Sequence, residues 1–156
     1  MKITITFRAI TPDDEDFLFL LYAGTREKEL AQTTWTSTEK DSFLKQQFSA
    51  QHQFYMQQFS QATFEIILAD NKSAGRLYVD RRKDEIRLID IALLPEYRNK
   101  GIGTSLLRKL LEEAGEMNKP LRIHVEKFNP ALQLYQRLGF KKIDDVGVYY
   151  FMEWKS

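Results

Sequence analysis

A short segment between a predicted strand and a predicted helix carries two glycines and two basic residues. Residues 93–104 read LLPEYRNKGIGT, with Gly101 and Gly103 two positions apart and Arg98 and Lys100 just before them. Free backbone N–H groups and the helix dipole favour an anion where a helix begins. The glycines let the backbone approach a ligand without Cβ clashes. The segment therefore predicts a phosphate or pyrophosphate site.

Other phosphate-binding loops match this segment less well. A Walker A loop ends in Gly-Lys-Ser/Thr, whereas Gly103 is followed by Thr104 with no lysine. A dinucleotide fingerprint needs a third glycine where Leu106 stands, although Glu126 lies about where its ribose-binding acid would be. A doubly wound fold also needs more strand–helix units than the remaining chain can hold. A glycine-rich turn without a ligand is the alternative on this segment alone.

The N-terminal part of the chain predicts a strand, two helices and an antiparallel meander. Periodicity and turn chemistry define the elements, and short connections make the second to fourth strands antiparallel neighbours. The elements are a strand at 3–9, a helix from Thr11 to about Leu30, a helix at about 39–59, and strands at 64–68, 77–79 and 86–94.

The C-terminal part alternates helices with strands. Its elements are a helix at 102–116, a strand at 121–125, a helix from Asn129 to Gly139, and hairpin strands at 140–144 and 147–154. The long helix implies a right-handed crossover that lays the fourth and fifth strands side by side and parallel. The predicted fold is α+β, in the order β-α-α-β-β-β-α-β-α-β-β. One domain over residues 1–156 would hold a mixed sheet of about seven strands with four helices on its two faces.

Two motifs resemble those of the GNAT acetyltransferase family. Residues 98–103 (RNKGIG) match its Arg/Gln-x-x-Gly-x-Gly/Ala signature, and residues 91–97 (IALLPEY) look like its lead-in. Residues 129–140 (NPALQLYQRLGF) are similar to its Asn…Ala-x-x-Leu-Tyr-x-x-x-Gly-Phe motif. Asn129 stands two positions before Ala131, whereas many members have three. The predicted order of elements also matches the family fold from end to end.

The resemblance implies acetyl-CoA, or CoA, as the co-substrate. Backbone amides of residues 98–104 would bind the pyrophosphate. The fourth and fifth strands would splay apart, and the pantetheine arm would run beside the edge of the fourth strand, near Ile91 to Leu93. A free N–H near Leu93 would polarise the thioester carbonyl as an oxyanion donor. The implied cofactor-binding residues are Ile91, Ala92, Leu93, Arg98, Asn99, Lys100, Gly101, Ile102, Gly103, Thr104, Asn129 and Tyr135.

The resemblance also implies direct acetyl transfer to an amine in a ternary complex, with Tyr135 as the acid that protonates the departing thiolate. A phenol can make that donation when the thiolate is desolvated. Since Tyr135 falls on the apolar stripe of its helix, a core residue with a satisfied hydroxyl is the alternative. For the whole protein, a CoA-binding sensor or interaction module without turnover is the alternative function.

An acidic residue interrupts the apolar fourth strand (IDIAL). A buried carboxylate is costly unless it is used or paired, so Asp90 is the candidate base for the acceptor amine. An ion pair with Arg87 or Arg76 is the alternative role for this carboxylate. Glu126 and His124 are weaker candidates for the base.

The acceptor is expected between the sheet and the connection of the first two helices. These elements lie away from the predicted cofactor side, and variable segments often carry specificity on a fixed scaffold. Arginine anchors would favour a carboxylate-bearing amine, such as an amino acid or peptide, over a polyamine. A solvated helix face with a packed tryptophan is the alternative. The candidate acceptor-binding residues are Arg26, Trp35, Tyr55, Arg76 and Tyr78.

Composition narrows the expected partners and location. Lys and Arg number 23 against 22 Asp and Glu, so net charge does not favour nucleic acid or anionic membranes. With two His and no Cys, we expect no metal site and no cysteine acyl-enzyme. No run approaches the roughly 18 apolar residues of a membrane span, and no signal peptide is evident. We expect a cytoplasmic monomer or homodimer acting on a small-molecule or peptide amine, without nucleic acid or membrane partners.

Overall fold

A seven-stranded mixed sheet organises residues 2–156, the part of the chain that the computed structural model describes. The strands are β1 Ile5–Ala9, β2 Thr63–Ala69, β3 Lys72–Arg81, β4 Ile86–Leu93, β5 Leu121–Glu126, β6 Lys141–Val146 and β7 Tyr149–Trp154, in the sheet order β1-β2-β3-β4-β5-β7-β6. The helices are α1 Glu15–Ala31, α2 Ser37–Gln58, α3 Ile102–Glu116 and α4 Leu132–Arg137. The predicted α+β fold and its order of elements are confirmed.

Two apolar clusters cover opposite faces of the sheet. On one face, α1 and α2 bury Leu18, Tyr22 and Phe48 against Ile66 of β2. On the other face, an apolar stripe of α3 is buried against the strands and α4. The buried residues of that stripe are Ile102, Leu106, Leu107, Leu110, Leu111 and Ala114. Within residues 2–156, every helix is too short or too polar to cross a membrane.

An acidic side chain ties the start of α1 to the edge strand β1. Thr11 is the N-cap of a single 3-10 turn that precedes α1, and its N–H donates to Asp14 Oδ2 at 2.7 Å. Arg8 of β1 donates to both oxygens of Asp14, at 2.7 and 2.8 Å. The hydrogen bonds from Arg8 lower the pKa of Asp14 from 3.8 to about 2, and those from Thr11 add to the effect. Ionised Asp14 therefore stabilises the folded chain.

We expect Asp14→Asn to destabilise the protein at neutral pH by about 2 kcal/mol, the free-energy equivalent of this pKa difference. Because the folded-state pKa lies below the unfolded one, the contribution is present above about pH 4 and is lost as the pH falls towards about 2. Urea unfolding of variant and wild type should thus converge in acid. Asp41→Asn is the control, since its ion pair with Lys45 is exposed and contributes little. A difference between Asp14→Asn and wild type that is independent of pH would contradict this account.

Strands β4 and β5 are paired over only part of their length. Parallel partners run from Ile86 with Leu121 to Leu88 with Ile123 and stop there. At this point β4 contains a bulge, because Tyr78 of β3 faces Asp90 whereas the next residue of β3 already faces Leu88. Beyond Leu88 the two strands separate, as the resemblance implied, and an opening forms between them.

Candidate active site

The opening between β4 and β5 exposes backbone groups of β4. Leu94 N–H donates to the Ala74 carbonyl on β3 at 2.8 Å. Since backbone groups alternate in direction along a strand, the N–H groups of Ile91 and Leu93 point away from β3 and into the opening. The Leu93 carbonyl, on the same side, accepts from Arg98 Nε at 3.0 Å. The predicted cofactor-binding residues along this edge are Ile91, Ala92 and Leu93.

The segment between β4 and α3 turns through two residues with positive φ. Asn99 has a φ of 60° and Gly101 a φ of 83°, a conformation that glycine adopts without strain. Gly101 is also the N-cap of α3, and a Cβ built there would meet nothing within 4 Å. Lys100, between them, is exposed. The predicted loop residues thus form an open turn directly before the helix.

The first turn of α3 presents unpaired backbone donors. The N–H groups of Ile102, Gly103 and Thr104 have no backbone acceptor in the described chain, and Ser105 is the first residue to donate back, to the Gly101 carbonyl at 3.0 Å. Free N–H groups at the positive end of a 15-residue helix are suited to binding an anion. Together with the open turn before it, this end of α3 can hold a phosphate group.

Arg98 is engaged inside the loop. Its N–H donates to the Pro95 carbonyl at 3.1 Å, in addition to the bond from its side chain to Leu93. These contacts hold the loop against the end of β4. The contact between the Arg98 side chain and the cofactor stays a prediction.

An open cleft of about 570 Å³ continues from the loop along α3. Its lining residues are Gly101, Thr104, Ser105, Arg108, Lys109 and Glu112. Arg108 and Lys109 are basic residues that the sequence analysis did not select. The sequence could have indicated Arg108, because residues four apart share a helix face and Arg108 follows Thr104 by four positions.

Tyr135 is buried on α4, with 3% of its surface exposed. Its ring packs edge-to-face on Phe140 with the centroids 5.5 Å apart. Burial, and then the nearby charge of Asp90, raise the pKa of its phenol well above the ordinary value. The phenol therefore keeps its proton through the neutral range, which is the state that a proton donor requires.

Asn129 forms the turn that leads into α4. The predicted helix starts at Asn129, whereas the observed helix starts at Leu132, because the Asn129 side chain closes a turn first. Its Oδ1 accepts from Ala131 N–H at 2.8 Å, and its carbonyl accepts from Leu132 N–H at 3.0 Å. Asn129 thus positions the short helix that carries Tyr135.

The bulge in β4 turns Asp90 towards α2. Simple alternation would place it with Leu88 on the α3 face, but it lies opposite Tyr78 and beside Arg76. The Asp90 carboxylate pairs with the Arg76 guanidinium, which also donates to Gln51 Oε1 of α2 at 3.1 Å. The ion pair that the sequence left as an alternative is therefore present. Arg87, the other candidate partner, pairs with Glu85 at 2.8 Å.

Two tyrosines complete the surroundings of this ion pair. The Arg76 guanidinium lies 4.9 Å from the centroid of the Tyr78 ring, and Tyr55 of α2 packs edge-to-face on Tyr78 at 5.9 Å. Burial, followed by the charge of Asp90, raises the pKa of Tyr55. Three of the predicted acceptor residues thus lie together next to Asp90. Tyr78 is fully buried, so it supports this wall from beneath.

The other two predicted acceptor residues lie elsewhere. Arg26 of α1 pairs with Glu126 at the end of β5 at 3.3 Å, which places it on the β5 side of the opening. Trp35 packs edge-to-face on Phe43 at 5.1 Å near the start of α2. Phe43 precedes Tyr55 by 12 residues within α2, which corresponds to roughly 18 Å along a helix. The structure therefore does not bring Trp35 to the wall that contains Tyr55.

Comparison with known proteins gives a consistent result. The model of the acetyltransferase (GNAT) family matches residues 26–140. The [ribosomal protein bS18]-alanine N-acetyltransferase of Haemophilus influenzae is 33% identical over 85 residues, 54% of this chain and 58% of that protein. The spermine/spermidine N(1)-acetyltransferase of Bacillus subtilis is 35% identical over 75 residues, 46% of this chain and 43% of that protein. The chain thus spans about half the length of these relatives.

Solved structures share the fold over nearly the whole chain. The PaiA N-acetyltransferase of Thermoplasma acidophilum in complex with coenzyme A has a TM-score of 0.72 at 21% identity, covering 98% of this chain and 99% of that one. An acetyltransferase from Thermus thermophilus has a TM-score of 0.68 at 14% identity, covering 98% and 97%. At these identities the likeness concerns the fold.

Proposed function

Because the chain belongs to the GNAT acetyltransferase family, we propose that it transfers an acetyl group from acetyl-CoA to an amine by direct attack in a ternary complex. The observation that carries this proposal is the set of free N–H groups on Ile102, Gly103 and Thr104, beside the loop that follows the opened edge of β4. Acetyl-CoA whose pyrophosphate is bound at α3 could extend its thioester arm from there into the opening. Such an arm would reach the backbone donors of β4.

The loop and α3 fit the phosphorylated end of CoA. A Cβ built on Gly103 would meet only Leu93 Cδ1, at 3.9 Å, so the space over these amides is open to a ligand. The pyrophosphate would accept from the N–H groups of residues 102–104, with Arg108 and Lys109 of the adjoining cleft supplying further positive charge. When bound, acetyl-CoA supplies the activated thioester.

Residues of the chain could stabilise the charge on the thioester oxygen and carry out the two proton transfers of the reaction. The Leu93 N–H, directed into the opening, can donate to the thioester oxygen as charge develops there. Tyr135 retains its phenolic proton and can deliver it to the departing sulfur. Asp90 lies on the α2 side of β4 and can take the proton of the acceptor amine. The two proton carriers are close enough for the charge of Asp90 to affect the phenol.

We propose an amine that also carries a carboxylate, such as an amino acid or a peptide, as the acceptor. Arg26 supports this choice, because it is partly exposed and its bonds to Glu126, at 3.3 and 3.4 Å, are long enough to exchange for a ligand. Arg76 is buried and committed to Asp90, so it would not anchor the acceptor directly. With 23 basic and 22 acidic residues, the near-neutral net charge favours such acceptors over nucleic acid. We place this reaction in the cytoplasm.

The proposed function is tested on the wild-type protein in two steps. CoA and acetyl-CoA should raise the melting temperature, because a ligand that binds only the folded state stabilises it. Thiol release should then be screened across amino acids, peptides and polyamines. No thermal shift and no calorimetric heat at millimolar CoA would refute the proposal. Binding without thiol release for any amine would favour a CoA sensor instead.

Replacing the proposed acceptor anchor should affect one substrate only. We expect Arg26→Gln to raise the KM for a carboxylate-bearing acceptor by roughly 10- to 100-fold, the scale of one lost charged hydrogen bond. The KM for acetyl-CoA should stay nearly unchanged in steady-state thiol-release assays. Glu29→Gln is a matched control, since Glu29 also pairs with Arg26 but is largely exposed. An effect confined to acetyl-CoA, or a polyamine as the best acceptor, would rule out this anchor.

A further inference from the structure

Asp90 is held by the protein at one oxygen only. Arg76 contacts Oδ2, and no described residue donates to Oδ1. The Asp90 side chain is 25% exposed, whereas that of Arg76 is 4% exposed. One carboxylate oxygen is thus fixed from inside the protein, and the other is without a donor, on the part of β4 that no longer pairs with β5.

Arg76 is costly as a purely structural residue. Its guanidinium is buried between β3 and α2, and its Nε has no hydrogen-bond partner. Replacing a buried ion pair by well-packed apolar residues is often neutral or stabilising, so stability alone gives no reason to keep an arginine here. The side chain is nevertheless held on two further sides, by the Tyr78 ring and by the Gln51 amide. This arrangement points to a role that depends on the position of the guanidinium.

Arg76 is the cation that contacts Asp90 among the described residues. Three phenols respond to the charge of this carboxylate, namely Tyr78 on β3, Tyr55 on α2 and Tyr135 on α4, and in all three burial is the main cause of a raised pKa. These phenols are neutral in the physiological range, so they do not balance a carboxylate charge. The orientation of the Asp90 carboxylate is therefore set by its contact with Arg76.

We propose that Arg76, steadied by Gln51, is a positioning residue that aims the free oxygen of Asp90 at the acceptor amine. This inference rests on the proposed function. In the transfer step the acceptor nitrogen forms a C–N bond as the C–S bond of the thioester breaks, the departing sulfur takes the proton of Tyr135, and a proton of the acceptor nitrogen passes to Asp90. The guanidinium stays protonated throughout and keeps its contact with Oδ2. Arg76 touches neither substrate and acts through Asp90.

A mutant cycle tests whether Arg76 acts through Asp90. We expect Arg76→Met to lower kcat by roughly 10- to 100-fold, the effect of a misplaced catalytic group, with the Kd for CoA unchanged by calorimetry. The Arg76→Lys variant, which keeps the charge but loses the planar guanidinium stacked on Tyr78, should recover only part of this loss. The double variant of Arg76→Met and Asp90→Asn should be no slower than Asp90→Asn alone, because residues that act as a unit are not additive.

The controls separate this role from a structural one. Arg82→Met removes another Arg–Asp pair of β3 and its following turn, to Asp80 at 2.9 Å, in which the arginine is more exposed than Arg76, and should leave kcat unchanged. If Arg76→Met does not fold, Gln51→Leu carries the test, with an expected kcat loss of roughly 3- to 10-fold on the same reasoning. Wild-type kcat in the folded Arg76 or Gln51 variant, or a double variant whose loss is the product of the two single losses, would overturn the assignment. Failure of the proposed function would look different, because the wild type itself would release no thiol.

Discussion

Tyr135→Phe should slow acetyl transfer by roughly 10²–10⁴-fold, the usual effect of losing a positioned acid. The substitution removes only the hydroxyl and keeps the ring, which is buried and packed on Phe140. Burial keeps the phenol protonated. At any pH below about 10, loss of this proton should therefore not lower the wild-type kcat. The fold and the affinity for CoA should be preserved, since the donors proposed to bind the pyrophosphate lie on α3.

The measurement is kcat for thiol release, with single-turnover rates to show that chemistry limits the reaction. Tyr150→Phe is a matched control, because Tyr150 lies on β7 with its ring against Lys142 at 4.0 Å. That control should keep wild-type turnover and CoA affinity. If Tyr135→Phe also turned over at the wild-type rate with chemistry limiting, Tyr135 would be a core residue, the alternative that its position on an apolar stripe suggested.

The elements that the sequence predicted best are those whose signals are local. The stripe of α3 repeats at helical spacing, and each of its members is buried. The loop glycines also have a local cause, since Gly101 has a positive φ and begins α3. Start signals were less exact where a side chain competes with the helix. Asn129 closes a turn of its own, so α4 begins three residues later than predicted.

The geometry around Asp90 could not be read from periodicity. A strict period of two places Asp90 with Leu88 on the α3 face, and only the extra residue of the bulge moves it to the α2 face. The sequence indicated that the carboxylate must be used or paired, but it left both Arg76 and Arg87 as candidate partners. The register of β3 against β4 selects Arg76, and this register depends on tertiary pairing.

The acceptor side was predicted by exclusion, which cannot order residues along an element. Helix α2 has 22 residues, so residues near its start and its end can be assigned to one wall although they are far apart. Trp35 and Tyr55 are such a pair. By contrast, Tyr55, Arg76 and Tyr78 lie together, because Arg76 and Tyr78 share one face of β3 and Tyr55 of α2 packs on Tyr78.

Gly103→Val should abolish detectable CoA binding while leaving the fold intact. Gly103 is the second residue of α3, and its N–H is one of the free donors of the first turn. A branched side chain there would occupy the space through which a pyrophosphate must approach these amides. We expect the fold to be kept, because the nearest neighbour of a Cβ at this position is Leu93 Cδ1 at 3.9 Å. Valine also has a helix propensity no worse than that of glycine.

Calorimetry and thermal shift with CoA provide the measurement, and the unliganded melting temperature shows that the variant is folded. We expect a loss of affinity of at least roughly 10²-fold, which is about 2.7 kcal/mol of binding free energy. Gly115→Val is the matched control at the other end of α3, where a Cβ would meet Ser156 and Trp154 at 3.8 Å. That control should bind CoA like the wild type. Wild-type affinity in folded Gly103→Val would show that the first turn of α3 does not hold the pyrophosphate, even if CoA binds elsewhere on the protein.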